Sequence, residues 1–112
     1  MSSRKLVITI KDNVDEKHIN YLYQTASVYV GQDRVYKYTS SNGKQQVEIN
    51  GSNLETADDR ITFNVGVKAA INYIEEVNKE LDSKDYIIYE EEEQSYKGWE
   101  IVRTNIPNKE GV

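Results

Sequence analysis

The chain has 112 residues, no cysteine, and a formal net charge of −5 at pH 7 from 19 acidic and 14 basic residues. This length suits one domain with a single hydrophobic core. The composition excludes disulfides and thiol chemistry, and the charge disfavours direct binding to nucleic acid or anionic membranes, which needs clustered Lys and Arg. No segment has the continuous apolar run of a signal peptide or the roughly 20 apolar residues of a membrane span, so we expect a cytoplasmic protein with no membrane partner.

The first elements are a strand and a helix. Residues 5–11 alternate apolar and polar side chains, which predicts a strand. A helix over 15–27 follows, because its apolar positions have the i, i+3, i+4, i+7 spacing of one helix face; they are Ile19, Leu22, Tyr23 and Ala26. Asp15 is suited to the N-cap, and Val14 has the spacing of a hydrophobic staple with Ile19.

The middle of the chain predicts two strands, a short helix, a further strand and a long helix. Residues 35–39 and 46–50 read as strands joined by a tight turn at Asn42-Gly43. Ser52 with Glu55 has the spacing of a capping box, so a short helix is expected from Ser52. Residues 60–65 alternate and predict a fourth strand. Residues 66–82 predict a helix with one apolar stripe, which is Val67, Ala70, Ile71, Ile74, Val77 and Leu81.

The C-terminal third predicts a β-hairpin. Residues 86–91 and 99–104 are its strands, and residues 105–112, which contain the only proline, are expected to fray. The domain organisation expected is thus a single domain over 1–112. It has a core at 4–82, a hairpin extension at 83–104 and a frayed tail at 105–112.

Three features together resemble HPr, the histidine-containing phosphocarrier of the sugar phosphotransferase system, over about residues 4–82. They are QTAS-x-Y at 24–29, the turn NGK at 42–44, and the short helix near Ser52. The resemblance implies an α+β open-faced sandwich of order β-α-β-β-α-β-α, with both helices on one face of an antiparallel sheet and the C-terminal hairpin added. The alternative is a ferredoxin-like β-α-β-β-α-β fold, which has no use for the short helix at Ser52.

The phosphocarrier motif of this family, H-x-R-P, aligns with residues 15–18. The phosphoacceptor histidine is replaced by Asp15, and Lys17 lacks the bidentate fork of an arginine. The only histidine, His18, lies three residues further on. We therefore expect a degenerate phosphocarrier site at Asp15, Lys17 and His18 without phosphotransfer. The preferred interpretation of His18 is a solvent-facing helix residue, and the alternative is a displaced phosphoacceptor.

Ser52 is a candidate regulatory serine. In some HPr proteins a serine that caps the short helix is phosphorylated by a dedicated kinase, and a helix N-terminus stabilises the added charge. The hydrogen bond of a capping serine explains Ser52 equally well. The nearby Glu55, Asp58 and Asp59 would repel a phosphate, so capping is the preferred interpretation.

A run of four glutamates marks the predicted hairpin. These residues, Glu90, Glu91, Glu92 and Glu93, are accompanied by Tyr89, Tyr96 and Trp99. In one interpretation the charges protect a sheet edge from aggregation. In the other the segment is a contact surface for a basic partner, with the aromatic residues as anchors.

Catalytic chemistry is not expected. One histidine without cysteine excludes the usual zinc sites, and no Gly-rich phosphate loop or nucleophile-and-base set is found. We therefore predict no catalytic residue, no metal, no cofactor and no enzymatic activity. Two functions remain, and both need a protein partner whose identity the sequence leaves open, as it does the oligomeric state. The first is a non-catalytic, HPr-like regulatory or protein-binding module. The second is a small acidic inhibitor from a phage or other mobile element, which blocks a host nucleic-acid-binding protein by polyanion mimicry.

Overall fold

A five-stranded antiparallel sheet carries two α-helices on one face in the part of the chain that the computed structural model describes, residues 3–12, 14–81 and 86–107. The elements in chain order are β1 (Arg4–Ile10), α1 (Glu16–Val30), a 3-10 turn (Gln32–Arg34), β2 (Val35–Thr39), β3 (Gln45–Gly51), α2 (Ala57–Asn78), β4 (Ile88–Ser95) and β5 (Gly98–Thr104).

The strand order across the sheet is β2-β3-β1-β4-β5, and every neighbouring pair is antiparallel. Strand β3 lies between β1 and β2, so α1 crosses over β3, and α2 likewise crosses over β1 on its way to β4. The α+β class with an antiparallel sheet is therefore confirmed. Apart from the 3-10 turn, the elements from β1 to β4 follow the β-α-β-β-α-β order of the ferredoxin-like alternative.

Local sequence explains the first strand and helix. The backbone N–H of Lys17 donates to Asp15 Oδ1 at 2.9 Å, which makes Asp15 the N-cap of α1. Val14 and Ile19 are both 7% exposed, and Leu22 and Ala26 are buried beside them. The prediction of β1, of α1 and of its buried face is confirmed.

The core lies between the helices and the sheet face that they cover. Leu6, Ile8 and Ile10 of β1 alternate into this core. They meet buried residues from β2, β3, α2 and the segment before β4, including Val35, Val47, Ile49, Phe63, Val67, Ile71, Ile74 and Ile87.

The predicted short helix at Ser52 and strand over 60–65 are wrong. Helix α2 begins after Thr56, whose Oγ1 accepts from the backbone N–H of Asp59 at 3.0 Å, and it includes residues 60–65. Of the alternating apolar residues in that segment only Phe63 is buried, whereas Ile61 is 59% exposed and Val65 is 45% exposed. Phe63 extends the helical stripe because it lies four residues before Val67. The short helix at Ser52, which favoured the HPr-like order over the alternative, is thus not present.

The C-terminal hairpin is present, but its first strand is an integral part of the sheet. Strand β4 pairs with β1 from Thr9↔Ile88 to Arg4↔Glu93, and Tyr89 is 6% exposed in the core. The four glutamates lie on this interior strand, so the interpretation that they protect a sheet edge is wrong. Only β5 extends the sheet beyond β4.

The ends of α2 and of the hairpin also differ from the predictions. Helix α2 ends at Asn78. The side-chain amide of Asn78 donates to the carbonyl of Ile87 at 2.9 Å, and its oxygen accepts from the N–H of Ile87 at 2.7 Å. Asn105, predicted to fray, also binds the backbone at the start of β4. Its side-chain amide donates to the Ile87 carbonyl at 2.8 Å, and its oxygen accepts from the N–H of Tyr89 at 3.0 Å. Residues 82–85 and 108–112 of the predicted elements lie outside the described residues.

Candidate protein-binding site on the open face of the sheet

The sheet face opposite the helices is a polar and aromatic surface to which all five strands contribute. We call it the open face, because among the described residues no helix covers it. It contains the residues that alternate with the core positions of each strand. The register places them in rows across the sheet: Tyr36, Glu48, Val7, Glu90 and Thr104; Asn50, Lys5, Glu92 and Ile101; Tyr38, Gln46, Thr9 and Ile88; and, at one end, Gln94 and Trp99.

The charge of the open face is negative. Glu48 and Glu90 flank Val7 on the two neighbouring strands, and Glu92 lies opposite Lys5. Within the five strands this face therefore carries three carboxylates against one ammonium group. Such a surface attracts cationic groups and repels phosphates.

Aromatic side chains lie at both edges of the open face. Tyr36 and Tyr38 on β2 are 49% and 38% exposed, and Trp99 on β5 is 37% exposed. The Tyr38 hydroxyl donates to Glu48 Oε1 at 3.4 Å. Burial raises the pKa of Tyr38 above its ordinary value, and the charges of Glu48 and Glu92 and the hydrogen bond to Glu48 raise it further.

The ammonium group of Lys5 lies over the ring of Trp99. The Nζ atom of Lys5 is 4.2 Å from the centroid of the Trp99 ring, which is within cation–π range. Lys5 reaches the ring diagonally across β4, because Lys5 pairs with Glu92 while Trp99 pairs with Gln94.

The structure divides the predicted contact residues between three places. Glu90, Glu92 and Trp99 lie on the open face. Glu91 and Glu93 alternate with them towards the helix side, where Tyr89 is buried in the core. Tyr96 is 94% exposed in the turn between β4 and β5.

The contribution of β1, β2 and β3 to this surface was not predicted from the sequence. Lys5, Glu48, Tyr36 and Tyr38 join the site only because their strands lie beside β4 in the sheet. The available signal was the two-residue period itself. Glu48 stands between the buried Val47 and Ile49, which indicates a side chain on the opposite face.

The degenerate phosphocarrier residues lie at the start of α1, on the helix side of the sheet. Asp15 caps the helix and Lys17 is exposed. His18 is not solvent-facing as predicted, since it is half-buried and its Nδ1 is 2.7 Å from the hydroxyl of Tyr73 on α2. Tyr73 also stacks on Tyr21 at 4.3 Å between ring centroids. Burial, followed by the charge of Tyr21, raises the pKa of Tyr73.

Ser52 lies in a turn after β3 and is not a helix cap. Its backbone N–H donates to Asn50 Oδ1 at 2.9 Å, and its carbonyl accepts from the guanidinium of Arg34. Because Thr56 caps α2, the helix-terminus argument for a regulatory phosphate at Ser52 is wrong.

A cavity of about 500 Å³ opens at one end of the sheet, between the loop after β3 and α2. Phe63 and Leu54 supply apolar walls, and two arginines and two glutamates supply opposite charges: Arg4, Arg60, Glu55 and Glu93. Glu93 is the only one of the four consecutive glutamates in this lining. The described residues contain no cluster of three acidic, histidine or cysteine side chains that could hold a metal ion.

Comparisons with protein-family models, with curated proteins and with solved structures find no match to this chain. In the described segments, neither helix combines the length and the apolar character that a membrane span requires.

Proposed function

We propose that this chain is a non-catalytic protein-binding module that binds a basic protein partner through the open face of its sheet. One observation carries the proposal: three carboxylates and three aromatic side chains share the sheet face that is opposite both helices. Tyr and Trp are the residue types that anchor protein interfaces, because they bury a large apolar ring and keep a polar group for hydrogen bonding.

The charge distinguishes this face from a nucleic-acid platform. Sheet faces that bind single-stranded RNA stack bases on exposed aromatic rings, but they also need cations for the phosphates. Here Glu48, Glu90 and Glu92 lie among the aromatic residues, and Lys5 is the single cation of the strands on this face. A polypeptide with arginine or lysine side chains fits this surface better than a polynucleotide.

The second candidate is polyanion mimicry, in which the same carboxylates occupy the nucleic-acid site of a host protein. It is favoured by the position of Glu48 and Glu90 on either side of Val7, which places negative charge on both strands that flank β1. A polyanion mimic should lose its partner steeply as the salt concentration rises, whereas an interface anchored mainly by the aromatic rings should respond weakly.

The experiment compares two variants with the same change in charge. Glu90→Gln with Glu92→Gln alters the open face, and Glu75→Gln with Glu80→Gln removes two exposed charges on and just after α2. A protein captured from host extract is purified, and its affinity and association rate are measured over a range of salt concentrations. We expect about tenfold weaker binding at low salt for the open-face variant only, mostly through slower association. Equal binding by both variants would contradict the proposal.

Loss of phosphotransfer is a further part of this proposal, and it applies if the chain is related to HPr. It is supported by the carboxylate of Asp15, which accepts a backbone hydrogen bond at the position where that family has a histidine. Incubation with phosphoenolpyruvate and the general phosphotransferase enzyme should leave the chain unlabelled. Labelling that disappears in His18→Ala would show a phosphocarrier with a shifted site.

A further inference from the structure

We propose that Trp99 and Glu92 form a subsite for an arginine side chain of the partner, and that Lys5 occupies this subsite in the free protein. The inference rests on the proposed function, since it assigns the chemistry of one contact on the open face. Its elements are an exposed tryptophan ring, a glutamate on the adjacent strand of the same face, and a cation already over the ring.

The geometry shows that the subsite accepts a positive charge. Lys5 Nζ lies 4.2 Å from the centre of the Trp99 ring, and Glu92 is the cross-strand neighbour of Lys5 on β4. Glu92 in turn pairs with Ile101 on β5, two residues from Trp99 on the same face. Glu92 therefore lies on the same face as Lys5 and Trp99, on the strand between them.

The contact of Lys5 is one that a partner can displace. Trp99 remains 37% exposed beneath it, and cation–π contacts at exposed sites are weak. A guanidinium suits the same place better than an ammonium group, because its plane stacks on an indole ring while its N–H groups donate to a carboxylate. Binding would exchange the internal lysine for the arginine of the partner and return Lys5 to solvent.

The chain supplies a matched control. Lys97 Nζ lies 5.6 Å from the centroid of the Tyr96 ring, in the turn at the end of the hairpin. Lys97→Met removes one positive charge and one cation–π contact, as Lys5→Met does, but it leaves the open face unchanged. Any effect of net charge on binding a cationic peptide is common to both variants.

Trp99 is the only tryptophan of the chain, so its fluorescence reports on this subsite without a label. The probes are capped peptides of alternating glycine and arginine, with lysine and glutamine versions of equal length. We expect saturable binding of the arginine peptide, about fivefold tighter to Lys5→Met than to wild type or Lys97→Met, and weaker to Glu92→Gln. Circular dichroism checks that each variant is folded, and Lys5→Gln replaces Lys5→Met if that variant is not.

Three results would overturn the inference: no saturable change with the arginine peptide, equal affinities of Lys5→Met and Lys97→Met, or equal affinities for the arginine and lysine peptides. The titration requires no host partner. A successful titration combined with failed capture would therefore contradict the proposed function alone, and the reverse result would contradict the arginine subsite alone.

Discussion

Replacing Gly51 with alanine tests how closely β3 must approach the long helix. A Cβ atom at this position would lie 2.7 Å from Phe63 Cζ and 2.9 Å from the carbonyl oxygen of Arg4. Both distances are shorter than van der Waals contact. Phe63 is only 2% exposed and packs in the core beside the cavity, and the carbonyl is backbone of the neighbouring strand β1, which cannot rotate away as a side chain can. Either the helix or the strand must therefore shift.

The expected loss of stability follows from two opposing effects. Overpacking a core costs about 1–3 kcal/mol. Alanine restricts the unfolded chain more than glycine does, which offsets about 0.4–1 kcal/mol of this cost. We expect the free energy of unfolding to fall by about 1–2 kcal/mol, and the urea midpoint to fall by about 0.5–1 M if the m-value is that of a small domain.

The assay is urea unfolding of Gly51→Ala, Phe63→Leu and the double variant, followed by circular dichroism. Leucine lacks the ring atoms that the new Cβ would meet, so Gly51→Ala should cost less in the Phe63→Leu background. Gly43→Ala is the control, because no heavy atom lies within 4 Å of its Cβ position and only its positive φ of 84° is unfavourable. The steric explanation is refuted if Gly51→Ala is as stable as wild type, or if its loss is the same with leucine at position 63.

Three other expectations concern a hydrogen-bonded asparagine, a helix cap and a tyrosine. Asn78→Ala should lower the free energy of unfolding by about 1–3 kcal/mol, since it leaves the backbone of Ile87 without these two bonds; the exposed Asn72→Ala should leave the urea midpoint unchanged. Asp15→Ala should cost about 0.5–2 kcal/mol in the same assay through loss of the cap, and an equal loss in Glu16→Ala would argue against capping. The raised pKa of Tyr38 means that the folded state binds the proton of the Tyr38 hydroxyl more tightly than the unfolded state does, so the free energy of unfolding should fall as pH rises above about 10. Tyr38→Phe should reduce that fall, as measured by urea midpoints between about pH 8 and 11.

Sequence alone determined the elements whose signals are local. The alternation of β1, the Asp15 cap and the apolar face of α1 involve residues within a few positions of each other, and the structure has all three. The β2–β3 hairpin also forms as predicted, with Gly43 at positive φ, although Asn42 does not share the positive φ that a two-residue Asn-Gly turn requires. In these elements the backbone hydrogen bonds and the burial pattern favour the same secondary structure.

Tertiary structure decided the elements in which local signals conflict. Residues 60–65 fit a strand by alternation, but Phe63 reaches the core as part of the helical stripe and Ile61 and Val65 remain exposed. The cap at Thr56 and the buried face further along α2 outweigh the local two-residue period, since most helix stability in proteins comes from packing one apolar face.

The candidate site was determined partly by the sequence and partly by the tertiary structure. The glutamate run and Trp99 could be selected from the sequence because an acidic aromatic segment is unusual, and the two-residue period separates Glu90 and Glu92 from Glu91 and Glu93. That Glu48 and Lys5 share their face depends on which strands are neighbours, and β1 and β4 are brought together from distant parts of the chain by the packing of α2. Strand order is a non-local property, and a single sequence constrains it only through the core that the finished sheet and helices bury together.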